Sequence, residues 1–132
     1  MLNTILCVDD DPITLMLCKK VIAKTAFSNE IITMSNGEEA LTFLMSLKTD
    51  SDLPIPELIF LDLNMPVMGG WEFLDILEID NFFISKNIKV IVLSSTIDPE
   101  DLEKSKQYKT VLEFLPKPIT REMLAYLITK KW

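Results

Sequence analysis

Three consecutive carboxylates, Asp9-Asp10-Asp11, follow directly on the apolar run Ile5-Leu6-Cys7-Val8, and a fourth, Asp62, follows on Leu58-Ile59-Phe60-Leu61. Asn64 lies two residues beyond Asp62, Ser94-Ser95-Thr96 closes the run Val90-Ile91-Val92-Leu93, and Lys117 stands between two prolines just after Phe114-Leu115. Carboxylates brought together raise one another's proton affinity unless a cation compensates. A hard divalent ion is the simplest compensation. Magnesium takes oxygen ligands octahedrally at about 2.0–2.1 Å and keeps several waters, so two carboxylates, one backbone carbonyl and water complete its shell. Manganese fits nearly as well, whereas calcium wants more ligands and usually a dedicated loop. A carboxylate beside a metal and a lysine is also a candidate nucleophile, since aspartyl phosphates are a known type of covalent intermediate. Asp62 is placed for that role, with the metal, Lys117 and the Ser94 hydroxyl available to the phosphoryl oxygens. The chain has no histidine, so any mechanism runs on carboxylates, hydroxyls, lysine or backbone.

For these residues to meet, each must sit at the end of a strand. Residues 4–8, 31–34, 58–61, 90–93 and 111–115 are strand-length, and most are nearly continuous in apolar residues, as strands covered on both faces are. Between them, residues 12–25, 38–47, 71–79, 99–106 and 121–130 carry apolar residues at helical spacing, for example Ile13, Leu17 and Val21, or Ala40, Leu44 and Leu47. Asp11-Pro12 and Asp98-Pro99 each place a capping carboxylate before a proline suited to the first helical turn, and Thr120 caps the last helix. Residues 48–56 read as a surface loop and residues 80–87 as an irregular connection. The pattern is β-α repeated five times, which favours a parallel sheet with helices on both faces. In such a sheet ligands collect outside the carboxyl ends of the strands, where the polar residues fall.

Composition narrows the function. The chain has 132 residues, a single-domain length. A formal net charge of −7 argues against a binder of nucleic-acid backbones, which clusters Lys and Arg on one face. No apolar run approaches the roughly 18 residues of a membrane span, and the amino terminus has no basic flank, so a cytoplasmic protein is expected. Cys7 and Cys18 have no metal-ligand spacing and read as free, buried thiols. Asp11 reads as a helix cap, Trp71 as packing, and Met65 and Met68 as loop packing.

Over essentially the whole chain these motifs resemble the receiver domains of bacterial response regulators, chemotaxis receivers among them. The resemblance rests on Ile5-Leu6-Cys7-Val8-Asp9-Asp10-Asp11-Pro12, on residues 61–70 (LDLNMPVMGG), on Val92-Leu93-Ser94-Ser95 and on Phe114-Leu115-Pro116-Lys117-Pro118, in this order. It implies an α/β, flavodoxin-like, doubly wound five-stranded parallel sheet of order 2-1-3-4-5 with five helices. It also implies Asp62 as phosphoacceptor, and Asp10, Asp62, the Asn64 backbone carbonyl and, through water, Asp9 around Mg²⁺, or Mn²⁺. Ser94 and Lys117 would contact the phosphoryl group, Phe114 would be the aromatic switch residue coupled to Ser94, and Asn64 and Thr96 would tune dephosphorylation. The Lys117-Pro118 peptide would be cis.

The implied partners are a sensor histidine kinase or histidine phosphotransfer protein and a downstream protein target, with neither nucleic acid nor membrane involved. Because the chain stops soon after the last helix, residues 1–132 are expected to form one receiver domain with no output domain. Serine stands at position 94 where threonine is more frequent, and keeps the hydroxyl. Phe114 lacks a phenolic hydroxyl, so a switch that depends on that group's hydrogen bond cannot operate. Two other classes share parts of the pattern. A receiver-like interaction module would keep the fold without phosphorylation. A haloacid-dehalogenase-type phosphohydrolase wants a second carboxylate two residues after the nucleophile, where this chain has Asn64.

Overall fold

Unbroken apolar runs become the centre of the sheet, and the mixed ones become its edges. The computed structural model describes residues 2–50 and 52–130; Met1, Ser51, Lys131 and Trp132, and with them the ends of the 1–132 domain and one residue of the 48–56 loop, lie outside the described residues. Strands β1 (Leu2–Val8), β2 (Ser28–Met34), β3 (Leu58–Asp62), β4 (Lys89–Ser94) and β5 (Val111–Pro116) form one sheet in the order β2-β1-β3-β4-β5. Every pairing is parallel. All five residues of β3 are buried, whereas β2 and β5, each with one free edge, are mostly part-exposed. Central strands lose water on both faces and so admit few polar side chains.

Helices α1 (Pro12–Thr25), α2 (Gly37–Ser46), α3 (Gly70–Ile79), α4 (Asn81–Ser85), α5 (Pro99–Ser105) and α6 (Arg121–Thr129) cover the sheet. Leu6, Val8, Ile59, Leu61, Val90 and Val92 face a core closed by α2, α3, α4 and α5. Ile5, Cys7, Leu58, Phe60, Ile91 and Leu93 face the opposite core, closed by α1 and α6. Alternate side chains of each strand point to opposite faces, which is why the two cores interleave in sequence. Among the described residues no helix is long and apolar enough to cross a membrane.

The helix count corrects the expectation of five. Residues 80–87 are not wholly irregular: Asp80 accepts from the Phe82 and Phe83 amides and starts α4, and Phe83 is buried in the core. One turn is too short to show helical periodicity, so only the Asp80 cap marked it in sequence. Lys48 pairs with Asp80 at 2.6 Å and ties the 48–56 loop to the new helix start. Elsewhere the caps fall where the sequence put them, with Asp11, Asp98 and Thr120 accepting from Ile13, Glu100 and Met123 amides.

Two features hold α3 in place against the sheet. The Glu78 carboxylate accepts from the Lys109 amide (2.7 Å) and from the Thr110 amide and hydroxyl, pinning the turn before β5 to α3. Beside it, Trp71 stacks on Tyr108 with centroids 5.7 Å apart, Lys104 lies over the indole, and the Tyr108 hydroxyl donates to Asp75. Burial and that carboxylate push the phenol up to about 12. Gly70 is the second feature. A Cβ there would lie 2.8 Å from both the Asp62 carbonyl oxygen and the Leu63 Cα, so α3 can start this close to β3 only without a side chain. Gly70→Ala is expected to destabilise the fold by about 1–3 kcal/mol, the usual cost of overpacking, as read by urea denaturation. An unchanged midpoint would show that the loop after Asp62 yields freely.

Candidate functional site

Register decides which carboxylates meet. Val8 pairs with Leu61, so the next residues, Asp9 and Asp62, emerge side by side from adjacent central strands. Both are buried, at 4% and 5% exposure, while Asp10 beside them is exposed. One carboxylate oxygen from each of the three lies within 4.8 Å of the others. The reversal of strand order falls here too, because the chain leaves β1 toward β2 on one side and reaches β3 on the other. A crevice opens at such a point.

Lys117 reaches the cluster from two strands away. Its amide donates to the Ser94 carbonyl at 2.8 Å, and the peptide to Pro118 is cis. The ammonium lies 2.6 Å from Asp9 Oδ2 and 3.4 Å from Asp62 Oδ1. Its closer partner is therefore Asp9 rather than Asp62. Asp9 Oδ1 accepts from the Asp11 amide (2.9 Å), and Asp62 Oδ1 from the Asn64 amide (3.4 Å).

These contacts leave Asp62 undercompensated. Burial first, then the Asp9 charge, raise its proton affinity above the ordinary carboxylate value, against Lys117 and the Asn64 amide. Burial pulls the Lys117 ammonium down, but the hydrogen bond to Asp9 and the two negative charges outweigh it and hold the lysine above its usual range.

A cleft of about 460 Å³ opens over the cluster, walled by Asp10, Asp62, Asn64, Ser95 and Lys117 on its polar side and by Leu17, Cys18 and Ile119 on its apolar side. Three carboxylates against one ammonium, all hard oxygen donors with no sulfur or imidazole among the acids, fit a hard divalent cation. One more charge of that kind would relieve the excess on Asp62.

Ser94 is buried, and its hydroxyl donates to the Thr96 carbonyl at 2.6 Å. The cleft wall is instead formed by Ser95, which sequence reasoning did not single out, although alternation at a strand end signals that one of two adjacent serines turns outward. The Thr96 side chain is exposed. Phe114 pairs with Val92 in the sheet and is buried in the core beneath α5, two register positions before Ser94 and Pro116, outside the cleft. In the loop after β3, Val67 has φ 69°, a left-handed conformation that a β-branched residue rarely adopts. Such strain gathers at functional loops.

Known proteins resemble this chain in sequence and in fold. The response regulator receiver domain matches residues 5–129. Response regulator Rcp1 of Synechocystis sp. (strain PCC 6803) is 33% identical over 100 residues, which are 76% of this chain and 67% of Rcp1. The two-component response regulator ARR20 of Arabidopsis thaliana is 29% identical over 78% of this chain, which spans only 22% of that protein. Among solved structures, a two-component response regulator from Cytophaga hutchinsonii superposes with a TM-score of 0.87 at 30% identity, covering 96% of this chain and 94% of that one. The Mn²⁺-bound form of Rcp1 superposes with a TM-score of 0.76 at 28% identity, covering 96% and 88%. With the family matched along nearly all of the described sheet and its acids gathered at the switch point, the chain belongs to the response regulator receiver domains of two-component signalling.

Proposed function

We propose that this receiver accepts a phosphoryl group on Asp62 from a phosphohistidine of a sensor kinase or histidine phosphotransfer protein, in a magnesium-dependent reaction in the cytoplasm, and signals through contact with another protein. The observation that carries this reading is the placement of Asp62, buried at the floor of an open cleft with Lys117 and two further carboxylates around it. An Asp62 carboxylate oxygen attacks phosphorus in line as the phosphorus–nitrogen bond breaks, and the departing imidazole keeps the electron pair and takes a proton. None of these 132 residues is a histidine, so the phosphohistidine donor lies outside them.

Magnesium, or manganese as the Mn²⁺-bound Rcp1 structure encourages, would be held by Asp10, Asp62, the Asn64 carbonyl and, through water, Asp9, and would neutralise charge on the phosphoryl oxygens. Lys117 pairs with another of those oxygens and keeps Asp9 compensated. Ser94 contributes once its hydroxyl exchanges the Thr96 carbonyl for a phosphoryl oxygen, and Phe114 lies on the same sheet face to register that movement. Asn64 and Thr96 flank the approach of water and tune the slow self-hydrolysis.

Intact-mass measurement after incubation with acetyl phosphate tests the reading. A gain of one phosphoryl group that requires Mg²⁺ and is lost on mild base treatment is expected. If no adduct forms at any Mg²⁺ concentration, the receiver-like interaction module replaces the proposed chemistry. Asp10→Asn is expected to weaken Mg²⁺ binding at least ~10-fold, the scale on which metal-site substitutions act, as read by the Mg²⁺ concentration that half-saturates adduct formation. Equal half-saturation in variant and wild type would remove Asp10 from the metal shell.

A further inference from the structure

The loop from β3 to α3, residues 63–69, is fixed at its base by two bonds. The Gly70 amide donates to the Leu63 carbonyl at 2.9 Å, and the Asn64 amide donates to Asp62 Oδ1 at 3.4 Å. These hold the amide side of Asn64 but not its carbonyl, which belongs to the next peptide. Among the described residues that carbonyl accepts no hydrogen bond. Its lone pairs are therefore open to a hard cation. What fixes its peptide must come from the residues that follow.

Farther along, the loop is held under strain. The Met68 amide donates to the Pro66 carbonyl at 2.8 Å, closing a γ-turn with Val67 at its centre and φ 69°. A γ-turn with positive φ is the rare, strained form, and a β-branched residue suits it poorly. Val67 is 75% exposed, so its own side chain does little to hold it there. Such strain persists only where the surroundings enforce it. Met68 supplies the enforcement. It is half-buried, packs on the core beneath α2 and α3, and lies against Gly37, the first residue of α2. A Cβ at Gly37 would stand 2.8 Å from the Met68 carbonyl oxygen and 3.0 Å from Met68 Cγ, so backbone and side chain both occupy the notch that glycine leaves. The notch is itself fixed, because Asn36 caps α2 by accepting from the Glu39 amide at 2.8 Å.

We propose that Met68 is a positioning residue for the metal: seated on Gly37, it holds Val67 in its left-handed turn and so fixes the peptide whose carbonyl, that of Asn64, joins the metal shell. The proposal rests on the reading that the Asn64 carbonyl stands with Asp10 and Asp62 around magnesium. A half-buried methionine ordinarily does no more than fill space. Here it is the link between a rigid helix start and a strained turn close to an unpaired carbonyl. Without its side chain the loop loses its hold on α2, Val67 relaxes to negative φ, and the Asn64–Met65 peptide is free to rotate. Magnesium demands near-ideal octahedral geometry, so a ligand that has to be reordered on binding lowers its affinity.

Calorimetric titration of Mg²⁺ into the full chain, with no phosphoryl donor present, measures the metal directly. The Cα and Cβ chemical shifts of Val67 and its HN–Hα coupling report the turn. Met68→Ala is expected to weaken Mg²⁺ binding about 10-fold, the lower end of what the outer-shell partners of a metal contribute, with Val67 leaving the left-handed range. Met68→Leu, which refills the notch with an apolar side chain of similar volume, should keep both close to wild type. Adding Val67→Gly to Met68→Ala should recover much of the lost affinity, because glycine takes positive φ without steric cost, while the melting temperature lost with the Met68 packing stays low. Val67 remaining left-handed in Met68→Ala would overturn the proposal. So would Mg²⁺ binding equal to wild type in that variant, or a loss that Val67→Gly leaves untouched, which is the mark of packing alone. No Mg²⁺ uptake by the wild type would instead count against the magnesium reading, while the Val67 backbone still decides whether Met68 holds the turn.

Discussion

Asp62→Asn is expected to abolish the phosphoryl adduct and, in the same protein, to raise the melting temperature without metal at pH 7. The first effect follows from removing the nucleophilic oxygen while keeping the side chain's shape. The second follows from burial. A carboxyl whose proton affinity is higher folded than unfolded stabilises the fold only in its protonated form. That contribution is complete below the unfolded value, near 3.8, and is lost as pH rises through the higher folded one. At pH 7 the ionised Asp62 therefore works against folding, with Asp9 at its side as the second cause. Asparagine removes the charge and the penalty together.

Thermal melts of both proteins from pH 3 to 8 without metal, repeated at pH 7 with Mg²⁺, check this expectation. Wild type should lose stability across the acid range relative to the variant, and Mg²⁺ should raise the wild-type melting temperature more than that of the variant. An adduct that survives on Asp62→Asn would place the acceptor elsewhere. A variant that melts lower at pH 7 would mean that the Lys117 contact at 3.4 Å outweighs burial.

Lys117→Ala is expected to slow phosphorylation by about 10²–10³-fold, the scale seen when one preorganised group that stabilises transition-state charge is removed. It should also destabilise the fold by roughly 3 kcal/mol, because it leaves a buried charge without its partner. The buried partner is chiefly Asp9, 2.6 Å away. Lys117 holds its proton more tightly folded than unfolded. Its stabilisation is thus fully present below the unfolded value, about 10.5, and is lost as pH rises through the folded one; at pH 7 none has been lost.

Urea denaturation and stopped-time mass spectrometry at matched Mg²⁺ separate the two effects. Added Mg²⁺ should restore much of the variant's stability, since any cation relieves Asp9 and Asp62, but should not restore the rate, since the phosphoryl oxygen that Lys117 contacts stays unmatched. Rate recovered in full by Mg²⁺ would reduce Lys117 to a counterion for Asp9. Lost stability with an unaltered rate would make it structural only.

Much of this site was legible before any coordinates. Apolar runs of strand length alternate with helical periodicity, and the polar residues that end those runs are local facts of neighbouring residues. So are the caps at Asp11, Asp98 and Thr120, whose hydrogen bonds span only two or three residues. Motif resemblance added the roles and the strand order, which spacing does not contain. The short helix Asn81–Ser85 escaped because a single turn carries no period, and its reason for forming, burial of Phe83, lies in a core built from distant segments.

By itself, the sequence determined the β-α alternation, the carboxylates at strand ends and the lysine after the fifth strand. Tertiary structure alone decided that Lys117 leans on Asp9 more closely than on Asp62, and that Ser94 turns to the Thr96 carbonyl while Ser95 walls the cleft. The physical reason is range. Periodicity and capping act between residues a few positions apart, whereas the partner of a buried charge or hydroxyl is chosen by strand register and packing across residues that the chain separates widely.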